Sequence, residues 1–136
     1  GIASTCSQAA LLNIVNASFE DDPNNLNEFF FGDPNGWSLI DPGGIVGGLD
    51  LQGTLNATGS AFFNSGAPDG DDVAILFIGT EVGTTEFGLG LVLADTLAAD
   101  TRYQLSVEVG NIQSGTSQGG TFFDLSGFPG YRIDLL

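Results

Sequence analysis

The stretch "APDGDDVAIL", Ala67 to Leu76, sets Asp69, Asp71 and Asp72 around one glycine, directly ahead of an apolar run. Grouped carboxylates suit a hard cation such as calcium, which takes several carboxylate and carbonyl oxygens. The spacing does not follow the D-x-[DN]-x-[DN]-G pattern of an EF-hand loop. A strand-entry turn accounts for the same residues. Pro68 and Asp69 open it, Gly70 takes the special backbone angle, and Asp71 and Asp72 lead into the strand. The turn is the stronger reading, and calcium at the three acids stays open. A glycosidase pair needs carboxyls about 5–5.5 or 6.5–9.5 Å apart. With 17 acids in the chain some pair meets that by chance, and no pattern singles one out.

The acids face almost no counter-charge. Arg102 and Arg132 are the only bases among 136 residues, Lys and His are absent, and the formal net charge is −15. Such a chain repels phosphate backbones, which excludes nucleic acid as a partner. Lack of His removes the usual general base, and lack of Lys removes Schiff-base chemistry. The expectation is therefore a protein that is not an enzyme. Sugar recognition usually stacks an exposed Trp or Tyr on the ring. Trp37 sits in a "GW" pair, and Tyr103 and Tyr131 fall on apolar strand faces, so core positions are expected for all three.

The single Cys6 excludes an intrachain disulfide. "CSQAA" (Cys6–Ala10) resembles a signal-cleavage region, which implies export to the cell surface or beyond. The triplets at Asn16 and Asn56 fit the N-glycosylation pattern. No run is long enough to span a membrane as a helix, so no membrane insertion is expected.

The elements that must position these residues read as strands. Twenty-one glycines and five prolines punctuate short apolar runs, the texture of an all-β protein. Strand candidates are Ala10–Phe19, Leu49–Leu55, Asp72–Gly79, Glu86–Leu93, Arg102–Gly110 and Tyr131–Leu136. Asp72–Gly79 is continuously apolar, as a central strand covered on both faces would be. Arg102–Gly110 alternates, with Tyr103, Leu105, Val107 and Val109 inward, and Tyr131, Ile133 and Leu135 repeat the pattern. A long Gly/Ser-rich loop is expected over residues 111–130. The fold class is thus a two-sheet antiparallel β-sandwich of the jelly-roll kind, with an N-terminal arm over residues 1–14 and the sandwich over 15–136.

"VNASFED", "GWSL", "PDGDDVAIL", "LAADTRYQLSVEVGN" and "GYRIDLL" occur in that order. The series resembles the galactose-binding-like jelly rolls of exported bacterial surface proteins with a PEP-CTERM sorting tail, related in pattern to carbohydrate-binding modules. In that family further strands follow "GYRIDLL", so the resemblance implies a sandwich completed by a neighbouring subunit's strand. The arm residues Leu11, Leu12, Ile14 and Val15, with Ile133 and Leu135, are the expected assembly surface. The resemblance also implies a calcium ion near Glu20, with a late acid that is absent here unless a neighbour or Asp134 substitutes. The function expected is a non-catalytic extracellular subunit of a self-assembling homo-oligomeric or polymeric fibre or matrix. The alternative is a carbohydrate-binding module recognising a polysaccharide.

Overall fold

The computed structural model describes residues 11–79, 86–125, 127 and 130–135. Among these the regular structure is entirely β: β1 (Phe29–Phe31), β2 (Ser38–Ile40), β3 (Leu51–Asn56), β4 (Asp72–Phe77), β5 (Gly88–Gly90), β6 (Gly115–Thr116) and β7 (Phe122–Phe123). All pairings are antiparallel, in the orders β1-β3-β4, β2-β5 and β6-β7. The all-β sandwich class expected from the punctuation of the sequence is the class observed.

β3 forms the centre of the largest sheet, paired along one edge with β1 and along the other with β4. Leu55 pairs with Phe29 on one side and Val73 on the other. Directly opposed residues share a face, so these side chains point together into the core. Leu55 and Phe62 are fully buried there, with Ile75 and Leu125 close behind. Phe29 meets Phe62 edge-on, centroids 4.8 Å apart, and Phe123 at 5.2 Å. The opposite face of β3 is polar but satisfied. Gln52 Nε2 donates to Asp33 Oδ1 at 3.0 Å, and Thr54 Oγ1 accepts from Asn24 Nδ2 at 2.8 Å. Gly53 is required by contact: a Cβ there would overlap the Phe30 carbonyl.

Three expectations about elements are corrected. β4 is not the central strand; among the described residues it borders β3 alone, and Leu76 on its outer face is 51% exposed. A continuous apolar run marks a strand but cannot say which of its faces is covered. The described part of Ala10–Phe19 is no strand. Asn16 (φ 48°) and Phe19 (φ 65°) bend it into a turn, pinned by Trp37 Nε1 donating to the Asn16 carbonyl at 3.2 Å. Residues 111–125 are not simply loop. They carry the β6–β7 hairpin, and the Gln113 N–H donates to the Phe62 carbonyl at 2.9 Å, docking the segment on the core. Residues 1–10 of the N-terminal arm, with Cys6, and Leu136 lie outside the described residues.

Candidate functional site

The two alternating runs late in the chain converge. Tyr103, Leu105, Val107 and Val109 from one, with Tyr131, Ile133 and Leu135 from the other, line a groove of about 500 Å³. The period-2 pattern put these residues on common faces, as expected. Their burial is the correction: Val107 is 53% and Tyr131 65% exposed, and neither run joins a ladder among the described residues. A contiguous apolar surface rimmed by polar groups marks a place where a ligand or partner sits. The signal for it in the sequence was the tyrosine at the head of each stripe.

Polar groups order the rim. The Ala98 N–H donates to the Tyr103 hydroxyl oxygen at 2.8 Å. That leaves the phenolic proton directed elsewhere. On the outward side, Arg132 clamps Glu86 with Nη1 at 2.9 Å and Nη2 at 3.1 Å, and its Nε reaches Asp134 Oδ2 at 2.7 Å. Asp134 first, then Glu86, raise the guanidinium pKa further above its ordinary value. The ion pairs are exposed and add little stability, but they tie the Tyr131–Leu135 run to the segment entering β5.

The acids of the opening motif separate. Asp69 and Asp71 are exposed, whereas Asp72 is 2% exposed and begins β4 opposite Asn56. Asn24 donates to it twice, through Nδ2 to Oδ1 at 2.8 Å and through its backbone N–H to Oδ2 at 3.3 Å. Burial pushes the Asp72 carboxyl pKa up; the Asn24 hydrogen bonds oppose this, and neighbouring Glu20 and Asp71 add to it. Glu20 Oε1 accepts the N–H groups of Asp71 and Asp72 at 2.8 and 2.7 Å. Gly70 (φ 72°) has no room for a Cβ beside that carboxylate. The motif is therefore a strand-entry turn capped by a glutamate some fifty positions earlier, |i−j| being 51 and 52 for the two bonds.

Calcium at this junction would need oxygen donors. The junction's donors are oxygens, the right kind. As arranged, however, Glu20 Oε1 and both Asp72 oxygens are engaged by protein N–H groups, and no group of three or more acidic, His or Cys side chains converges among the described residues. Elsewhere, Asn16 Nδ2 donates to the Asn35 carbonyl and Asn56 Nδ2 to the Asn24 carbonyl, each at 3.0 Å. Leu11 is 97% and Val15 43% exposed, while Leu12 and Ile14 are half-buried. Ile133 and Leu135 belong to the groove.

Comparison with known proteins places this geometry in context. The family model for HpiC1 cyclase matches residues 10–136. Among solved structures, an apo cyclase from Fischerella sp. is 30% identical, with a TM-score of 0.59 over 63% of this chain and 46% of its own. A Stig cyclase from Fischerella sp. TAU, in complex with (3Z)-3-(1-methyl-2-pyrrolidinylidene)-3H-indole, is 29% identical, with a TM-score of 0.57 over 64% of this chain and 46% of its own. Another from Fischerella sp. TAU, in complex with 4-(1H-Indol-3-yl)butan-2-one, is 29% identical, with a TM-score of 0.58 over 66% and 48%. No curated protein matches. The chain spans about half the length of the solved cyclases it matches.

These matches overturn the assignment to PEP-CTERM-type surface proteins and to carbohydrate-binding modules. The expectations of a non-catalytic fibre subunit, of a polysaccharide-binding alternative and of polymer or glycan partners fall with it, as does the expectation that the protein is not an enzyme. The physical reason is that strand-entry turns and period-2 stripes specify a sandwich, and one sandwich hosts many functions. Missing His and Lys exclude particular mechanisms, not catalysis by an apolar cavity with hydroxyl and carboxyl donors.

Proposed function

We propose, because the chain belongs to the HpiC1-like cyclase family, that it supports ring closure of an apolar, indole-bearing substrate held in the Tyr103–Tyr131 groove. One observation carries this reading: two tyrosine-headed apolar stripes line an open groove of about 500 Å³, a size and lining that suit a small molecule. An apolar wall holds a flexible substrate folded, so that reacting carbons meet in a near-attack geometry. A ring closure begun by protonating a π-bond needs an acid. With no His or Lys in the chain, phenols and carboxyls are the available donors. Tyr103 is the candidate, because the Ala98 N–H fixes its oxygen and frees its proton for a ligand.

The test uses 4-(1H-Indol-3-yl)butan-2-one, the ligand held by one of the solved relatives. Calorimetric titration should show saturable binding. Val107→Asp or Ile133→Asp should weaken it by about tenfold or more, since each sets a charge against the indole. Tyr103→Phe should leave binding nearly intact and lower turnover of a cyclisable indole substrate by ~10²-fold or more. Binding that ignores both Asp variants would refute the site.

A further inference from the structure

A second recess, about 250 Å³, lies between β1 and the β6–β7 turn, lined by Glu28, Phe29, Phe31, Gln118 and Phe123 among others. It shares no residue with the apolar groove. Strand alternation sets Phe29 and Phe31 on one face of β1, and their rings stack with centroids 5.6 Å apart and planes 11° from parallel. Phe123 tilts against Phe29 at 5.2 Å. Phe31 keeps 42% of its surface open.

Glu28 stands immediately before this aromatic wall. Its Oε2 accepts the backbone N–H and the Nδ2 of Asn25, both at 2.8 Å, which fixes the carboxylate with neutral donors only. The ion pairs found among the described residues belong to Arg132 with Glu86 and Asp134. The walls are tied together as well. The Gln118 N–H donates to the Asn27 carbonyl at 2.8 Å, and Asn27 Oδ1 accepts the Ala61 N–H at 2.7 Å.

We propose that this recess binds a small organic cation, a protonated or quaternary amine, with Phe31 and its neighbours contacting the alkyl surface and Glu28 balancing the charge. Aromatic faces attract cations through the ring quadrupole, more strongly where water is partly excluded. The chain's net charge of −15 draws cations to the surface, and the recess selects among them by its apolar wall.

The experiment is an amide-resolved NMR titration of the full chain with tetramethylammonium chloride, at constant ionic strength against sodium chloride, and separately with tert-butanol as a neutral probe of similar shape. The result expected is a saturable shift confined to residues 28–31 and 118–123, absent with sodium and much weaker with tert-butanol. Glu28→Gln and Phe31→Leu should each weaken it by about fivefold or more. Val107→Asp, in the other groove, should leave it unchanged, which separates this site from the proposed cyclase site. Equal responses to sodium would reduce the effect to screening, and equal affinity for tert-butanol would reduce it to apolar contact. Either result, or an unaffected Glu28→Gln variant with a folded spectrum, overturns the proposal.

Discussion

The fold shifts the pKa values of Asp72 and Asp41 in opposite directions, and both shifts depend on contacts no sequence pattern displays. Asp72 is buried, so its carboxyl lies above the ordinary 3.8. The folded state then keeps a proton that the unfolded chain has released. The stability tied to that proton is complete below 3.8 and is lost as pH rises through the folded value. Asp41 is held below 3.8, chiefly by the N–H groups of Val46 and then Ile45, which donate to it at 2.9 and 3.0 Å. Its contribution is present above 3.8 and is lost as pH falls through the lower folded value. Urea unfolding across the acid range should therefore show that Asp72→Asn removes a decline with rising pH, whereas Asp41→Asn removes a decline with falling pH. Asp72→Asn also surrenders one acceptor of the Asn24 pair, costing about 1 kcal/mol. The run "DGDD" announced a turn; which of its acids would turn inward was decided by the Asn56–Asp72 register.

β3 is where local sequence and tertiary contact agree most closely. The alternation of Leu49 and Leu51 with polar partners over Leu49–Leu55 was readable as a strand; the strand is Leu51–Asn56, and Leu49 lies outside it, 61% exposed. That β3 lies between two others was not readable, because side-chain alternation says nothing of which strands pair along its edges; nor was the burial of its polar face, where Asn24 and Asp33 supply partners. Gly53 illustrates the same limit. In a sequence it weakens a strand; in the fold it admits the backbone of Phe30. Gly53→Ala should push β1 off β3 and destabilise the protein by about 3 kcal/mol, as overpacking of a tight contact does. Chemical denaturation would measure it, and a change under about 0.5 kcal/mol, the scale of an inert surface substitution, would contradict the contact.

Across the whole molecule the dominant long-range force is self-repulsion. A net charge of −15 on 136 residues disfavours the compact state. Thermal melts should rise as sodium chloride goes from about 10 to 300 mM, because screening shortens the range of that repulsion. A salt-independent midpoint would show the acids to be individually compensated. At this scale the sequence by itself determined the all-β class, the β3 and β4 strands, and the stripes Tyr103–Val109 and Tyr131–Leu135. Each follows from composition or from the period of two, which are properties of neighbours along the chain. Only the tertiary structure decided that the stripes face each other across a groove, that Glu20 caps the Asp71–Asp72 turn, and that Asn24 holds Asp72. Those facts join residues far apart in sequence, and a periodic pattern states which face a side chain is on without stating what stands opposite it.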